Sequence, residues 1–172
     1  MFRTTIFLLL VQLFAAVSSA QDRAGAIGQF RSLNAAPGSL GTTTLPPDGR
    51  PWIVFIFKAC CSPSDHAARW IVDAEKQFGD RIGIIGLNVD PGKSLPRVSN
   101  WLHTHQIEFP VVSDPTAQVA IAWGVIAPPA VVILDGQAHE IYRTMGYQPS
   151  YGHKLTAEIH ELLKSNTTDD KR

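Results

Sequence analysis

Cysteine is scarce in this sequence, and its charges cancel. Two of the 172 residues are cysteines, and 15 lysines and arginines balance 15 aspartates and glutamates. Two cysteines are too few for a small scaffold held together by disulfides. A net charge of zero gives no electrostatic reason to expect binding to nucleic acid or to an anionic membrane. No internal repeat is visible, so the length favours one ordinary globular domain.

The first 20 residues are typical of a secretory signal peptide. Arg3 supplies a short basic region, residues 6–17 form an apolar run, and small residues at 18–20 fit a cleavage site. The run is shorter than the roughly 20 residues that a membrane-spanning helix needs, although a retained N-terminal anchor stays open. No cysteine lies near the cleavage point, so a lipoprotein anchor is not indicated. We expect a periplasmic or secreted protein with no membrane segment after cleavage.

Composition divides the chain into four segments. A leader or loop rich in small residues and proline is expected after the signal peptide, and the C-terminal tail is polar and expected to fray. The folded domain lies between them. The predicted segments are the signal peptide at 1–20, the leader at 21–45, the domain at 46–165 and the tail at 166–172.

The domain alternates strand and helix patterns. The run "WIVFIF" is β-branched and aromatic, which is typical of a strand buried on both faces. A helix should follow it, with Ser62 or Ser64 as N-cap, Pro63 in the first turn and Gly79 at its end. Further strands are predicted at "RIGIIGLNVD", "FPVVSDP", "PAVVILD" and "HEIYRTMGY", and helices at "SLPRVSNWLHTHQI", "TAQVAIAWGV" and "SYGHKLTAEIHELLKS". This order predicts an α/β domain with a central mixed sheet and helices on both faces.

Four segments between about residues 40 and 165 resemble the thioredoxin-like superfamily, in its exported TlpA-type or redoxin (AhpC/TSA-like) branch. They are "GRPWIVFIFKACCSPS", "IGIIGLNVD", "FPVVSDPTAQVAIAWGV" and "GVIAPPAVVILDGQAHEIYR". The last two are the most specific, because they also lie at the family's distance from each other. The resemblance implies a three-layer sandwich with a redox-active turn in the first segment and a cis-proline at Pro129.

The active-site turn departs from this family, whose members carry Trp-Cys-x-x-Cys. Alignment on Pro63, the proline commonly third in the family's tetrad, places Cys61 at the nucleophile and Ser64 at the missing resolving cysteine. Alignment on the phenylalanines of the strand places the nucleophile at Cys60 instead. We prefer Cys61, because backbone N–H groups and the dipole at a helix start stabilise a thiolate. A buried, inert pair of thiols is the alternative to both.

Two adjacent cysteines favour an unusual redox cycle. Neighbouring Cα atoms lie about 3.8 Å apart across a trans peptide, whereas disulfides prefer roughly 4.4–6.8 Å. A disulfide between Cys60 and Cys61 is therefore strained and easily reduced. The sequence thus favours either a transient vicinal disulfide or monothiol chemistry, in which Cys61 attacks a substrate disulfide and an external thiol releases the product.

Pro128 is the second departure. In the family, the residue before the cis-proline pairs with bound peptide through its backbone, and proline has no N–H to donate. We expect a substrate site at Pro128 and Pro129 that is weaker or altered, although simple rigidification of the loop is equally open.

These residues predict a thiol–disulfide oxidoreductase that needs no cofactor and acts on a protein thiol or disulfide partner or on an external thiol. A non-catalytic binding or assembly module is one alternative, favoured by the missing second cysteine. A peroxiredoxin-like antioxidant is another, although Phe57 and Lys58 do not fit its proline and Thr/Ser signature. Copper handling by Cys60, Cys61 and His66 is the third. The sequence does not indicate an oligomeric state.

Overall fold

The structure, a computed structural model, describes residues 49–169, with side chains through residue 165. The predicted signal peptide, nearly all of the chain before the first strand and the last three residues lie outside the described residues. Within them, no helix is both long enough and apolar enough to cross a bilayer.

Five strands and four helices follow one another along the described chain in the order that the sequence patterns predict. Two short 3₁₀ turns, Gly79–Arg81 and Gly92–Ser94, join helices and strands. The strands are β1 (Trp52–Phe57), β2 (Gly83–Asn88), β3 (Val111–Ser113), β4 (Ala130–Leu134) and β5 (Glu140–Met145). The helices are α1 (Ser62–Phe78), α2 (Leu95–Thr104), α3 (Gln118–Ala122) and α4 (Tyr151–Asp169).

β1 is the central strand, and both of its faces are buried. Successive side chains of a strand point to opposite faces. Phe55 and Phe57 accordingly join the core cluster that contains α1 and α2 residues, whereas Val54 and Ile56 join the cluster on the opposite face of the sheet. The prediction of a strand buried on both faces is confirmed.

The five strands form one mixed sheet in the order β3-β2-β1-β4-β5. β1 runs parallel to β2, and β2 runs parallel to β3. β4 is antiparallel to β1, and β5 is antiparallel to β4. The predicted α/β class, with a central mixed sheet and helices on both faces, is confirmed.

The strand directions bring three chain segments to one edge of the sheet. Phe57 pairs with Asn88, so β1 and β2 end at the same level. Ile56 pairs with Ala130 at the start of β4. The turn that follows β1, the segment that follows β2 and the loop that precedes β4 therefore lie next to one another.

The last helix is longer than predicted. α4 extends through Asp169, whereas the sequence predicts a frayed tail from residue 166. No glycine or proline interrupts this stretch, so nothing in its backbone chemistry ends the helix. Leu155 and Ile159 of α4 are buried against the core and hold the helix to the sheet.

Candidate active site

The two cysteines lie in the turn between β1 and α1. Cys61 is the N-cap residue of α1, with extended backbone angles of φ −128° and ψ 126°. Its carbonyl oxygen accepts a hydrogen bond from the Ser64 N–H at 2.8 Å. The prediction of Ser62 or Ser64 as N-cap is wrong, because both lie inside the helix. Pro63 does occupy the first turn, where its fixed φ suits a helix and its missing N–H has no intrahelical acceptor.

The two sulfur atoms lie close together. Both cysteines are free, and their Sγ atoms are 3.0 Å apart, within range of an S–H···S hydrogen bond. Cys60 is exposed, whereas Cys61 is partly covered. An attacking group from solvent therefore meets Cys60 first and finds a second sulfur directly beside it.

The pKa of the Cys61 thiol is raised above its ordinary value. The largest cause is the hydrogen bond to Cys60, followed by burial and by repulsion from a charge on Cys60. The positive charge of Lys58 lowers this pKa, and the carboxylate of Asp90 raises it. The side chain of Cys61 also makes no capping hydrogen bond to the helix. The role of Cys61 as the nucleophile therefore stays a prediction.

Ser64 occupies the position at which the alignment on Pro63 places the missing resolving cysteine. It is fully buried, and no other described group hydrogen-bonds its hydroxyl oxygen. A buried polar atom without a partner is unfavourable. Position 64 thus lies inside the protein, within the first turn of the helix that Cys61 caps. Its serine hydroxyl cannot form a disulfide, so it cannot replace the resolving cysteine.

A buried carboxylate that the sequence reasoning missed lies beside the turn. The Asp90 side chain is 1% exposed. Its Oδ2 atom accepts hydrogen bonds from the backbone N–H of Ala59 at 2.6 Å and from the Asn88 amide at 2.8 Å. Its Oδ1 atom accepts one from Arg97 Nη2, also at 2.6 Å. The "LNVD" segment carried a usable signal, because polar residues directly after a buried parallel strand gather at the edge of the sheet that holds the cysteine turn.

The proline loop closes the other side of this edge. The peptide bond between Pro128 and Pro129 is cis, which confirms the prediction for Pro129. The Pro129 carbonyl accepts a hydrogen bond from the Gly146 N–H at 2.7 Å. Pro128 has no N–H, so the loop offers no donor at that residue. Substrate binding by the two prolines stays a prediction.

His66, the third ligand of the copper alternative, is exposed and stacks on Tyr147 with ring centroids 4.8 Å apart. The described part of the chain contains no group of three His, Cys, Asp or Glu side chains that could hold a metal ion. Copper handling by Cys60, Cys61 and His66 stays a prediction.

The arrangement defines a thioredoxin-like protein. A mixed five-stranded sheet carries helices on both faces, a turn with free thiols follows β1, and a cis-proline lies at the start of the adjacent β4. The usual Trp-Cys-x-x-Cys turn is replaced by two adjacent cysteines, Cys60 and Cys61. The site is therefore an altered version of the one that the sequence resemblance implies.

The chain belongs to the AhpC/TSA family, whose sequence model matches residues 29–144. It is similar to the SPbeta prophage-derived thioredoxin-like protein YosR of Bacillus subtilis, with 34% identity over 68 residues, which make up 39% of this chain and 76% of that protein.

Solved structures share the fold. One is a secreted Mycobacterium tuberculosis disulfide oxidoreductase homologous to E. coli DsbE, with 13% identity and a TM-score of 0.66 over 83% of this chain and 100% of that one. Another is StoA from Bacillus subtilis, with 14% identity and a TM-score of 0.58 over 75% of this chain and 92% of that one. At such identities the likeness concerns the fold alone.

Proposed function

We propose that this protein is an exported thiol–disulfide oxidoreductase that uses Cys60 and Cys61 as its reactive pair. The observation that carries the proposal is two free sulfurs, 3.0 Å apart, at the sheet edge that also holds a cis-proline. The partner is a protein thiol or disulfide, or an external thiol. Export rests on the signal-peptide pattern of residues 1–20 and agrees with a fold shared with a secreted disulfide oxidoreductase.

Cys60 is the attacking sulfur in this proposal, which reverses the preference drawn from the sequence. Cys60 is the more exposed of the two. The pKa of Cys61 is raised, chiefly by the hydrogen bond to Cys60, which makes Cys61 the poorer source of a thiolate. The 3.0 Å contact between the two sulfurs places Cys61 where it can act as the resolving thiol.

The reaction has two exchange steps. The Cys60 thiolate attacks one sulfur of a substrate disulfide, and the other substrate sulfur leaves as a thiolate that takes up a proton. Cys61 then loses its proton and attacks the Cys60 sulfur, which releases the second substrate thiolate to take up a proton. The substrate gains two electrons and two protons, and the pair becomes a vicinal disulfide.

Strain sets the favoured direction of this exchange. Residues joined by a trans peptide hold their Cα atoms about 3.8 Å apart, which is closer than the roughly 4.4–6.8 Å of ordinary disulfides. Strained disulfides are more oxidising than relaxed ones. The reverse reaction, in which oxidised Cys60–Cys61 passes its disulfide to a partner dithiol and returns to the reduced state, is therefore the favoured one.

Trapping with oxidised glutathione tests the proposal. In Cys61→Ser, Cys60 can attack but no sulfur can resolve the product, so a stable glutathione adduct should accumulate on Cys60. In Cys60→Ser, we expect the adduct to form about tenfold more slowly, because Cys61 is less exposed. The double variant is the control. Adduct formation on Cys61 alone would overturn the order of attack, and no adduct in either single variant would overturn the function.

A further inference from the structure

Asp90 joins the end of β2 to the beginning of the cysteine turn. The backbone N–H of Ala59, one residue before Cys60, has the Asp90 carboxylate as its acceptor at 2.6 Å. The backbone also connects the two strand ends, because the Val89 N–H donates to the Phe57 carbonyl at 3.0 Å. Ala59 is buried, so its N–H would otherwise lack water as a partner. The carboxylate therefore fixes the conformation of the chain immediately before the thiols.

Arg97 makes a buried negative charge tolerable at this place. It lies on α2, and its guanidinium donates to Asp90 Oδ1 at 2.6 Å while the rest of its side chain reaches solvent. An isolated buried carboxylate is strongly disfavoured, whereas one that is paired and hydrogen-bonded on both oxygens is not. Asp90 has such partners on both oxygens, with Asn88 as the third donor. The pair is thus built to keep a charge next to the turn.

We propose that Asp90, held by Arg97, is a positioning residue for the thiol pair: it fixes the backbone at Ala59 and adds negative potential at Cys61. The proposal rests on the proposed function of the two cysteines. The groups whose charges act on Cys61 are Cys60 beside it, Lys58 on the preceding turn and Asp90 after β2. Lys58 favours the thiolate and Asp90 opposes it, so Arg97 favours it indirectly by offsetting Asp90.

Opposite shifts in thiol reactivity are the signature of this role. The rate of Cys61 alkylation by iodoacetamide would be measured against pH in the Cys60→Ser background, so that one thiol is observed. Asp90→Asn keeps an oxygen acceptor for Ala59 but removes the charge, and should speed alkylation near pH 7.5 by about twofold. Arg97→Gln leaves the Asp90 charge without its counter-charge, and should slow alkylation by a similar factor. In the variant carrying both changes, the effect of Arg97→Gln should disappear.

Three controls separate positioning from damage to the fold. Asp73→Asn removes an exposed charge on α1 and should leave the alkylation profile unchanged. Circular dichroism identifies any variant that does not fold. Hydrogen exchange at the Ala59 amide should be about tenfold faster in Asp90→Ala than in Asp90→Asn, because only the second retains an acceptor.

The outcome is independent of disulfide exchange, because alkylation needs no disulfide substrate. Opposite rate changes together with loss of Ala59 protection in Asp90→Ala support the proposal, even if the glutathione experiment fails. Equal or same-direction changes in Asp90→Asn and Arg97→Gln, or unchanged Ala59 exchange in Asp90→Ala, would overturn it. If Asp90→Asn does not fold, Ala59 exchange in Asp90→Ala against the unchanged protein and alkylation in Arg97→Gln decide the question. If Arg97→Gln does not fold, the Asp90 variants decide it.

Discussion

The interior of β1 and the sheet edge at which it ends differ in the polarity of their buried side chains. The side chains from Ile53 to Phe57 are apolar and at most 1% exposed. The edge, by contrast, holds nearly all of the buried polar side chains in the described residues. These are Ser64, Asn88, Asp90, Ser113 and Asp114, and the remaining one is Thr144 on β5.

The difference follows from where backbone groups find partners. Inside the sheet, the backbone N–H and C=O groups of each strand are hydrogen-bonded to the neighbouring strands. A buried polar side chain there would have no hydrogen-bond partner. Where the strands end, N–H groups of turns and helix starts need acceptors. Asp114 serves the start of α3, because its Oδ2 atom accepts from the N–H groups of Val119 and Ala120, each at 3.0 Å. Asp90 accepts from the cysteine turn in the same way, through the Ala59 N–H. The apolar interior thus stabilises the fold, and the polar edge holds the backbone of the turns.

The largest effect is expected in the strand interior. Phe55→Ala should lower the free energy of unfolding by about 3–5 kcal/mol, because it leaves a cavity among fully buried side chains. Urea denaturation followed by circular dichroism measures the loss. The matched control is Ile126→Ala, at a side chain that is 85% exposed, where the change should stay within about 0.5 kcal/mol. Comparable losses at the two positions would contradict the contrast.

A smaller loss of stability is expected at the edge, with no effect on the thiols. Asp114→Ala removes the acceptor of two buried N–H groups and should destabilise the fold by about 2 kcal/mol. Asp73→Ala, at an exposed carboxylate, is the control for removing a charge. The rate at which Cys60 reacts with oxidised glutathione should not change in either variant. A changed rate in Asp114→Ala would contradict this prediction and would show that the start of α3 is coupled to the cysteine turn.

Ser64→Cys tests whether the altered turn is one substitution away from an ordinary dithiol. Positions three apart on a helix face each other, and their separation suits a disulfide better than that of adjacent residues. Oxidation should therefore link position 64 to Cys61 and leave Cys60 free. Opening this bond should need about tenfold more reducing thiol than opening the vicinal one. Peptide mapping identifies the linkage, Ser62→Cys is the control, and a persisting Cys60–Cys61 bond would be the contrary result.

The smallest change in the free energy of unfolding is expected far from the edge, where α1 lies near the chain that follows α2. Burial, and secondly the charge of Glu108, raise the pKa of Glu75. The folded state thus holds this proton more tightly than the unfolded chain, and the associated stability is lost as pH rises from the unfolded pKa through the folded one. Glu108→Gln should gain less than about 0.5 kcal/mol at pH 7, because water screens both carboxylates. The gain should vanish at pH 3 in denaturant titrations, and an equal gain at both pH values would exclude a charge effect.

Local patterns were enough to predict the elements, whereas the site required contacts between distant parts of the chain. The apolar, β-branched and aromatic run "WIVFIF", the proline at position 63 and the glycine at 79 are local, and they placed β1 and α1 correctly. Ala59 and Asp90 are 31 residues apart, and their hydrogen bond exists only because β1 and β2 end at the same level. The raised pKa of Cys61 likewise depends on the orientation of two side chains, which no sequence pattern specifies.

The direct test of the central claim is the redox state of the Cys60–Cys61 pair at equilibrium. The protein would be incubated in glutathione buffers of stepped potential, quenched with acid, alkylated and mapped by mass spectrometry. We predict one transition in monomeric protein. The reduced state gives a doubly alkylated peptide, and the oxidised state gives an unalkylated peptide that is two hydrogens lighter than the same peptide with two free thiols. The midpoint of the transition should lie above the about −270 mV of thioredoxin. Two alkylated cysteines at every potential, or bonds only between chains, would contradict the account.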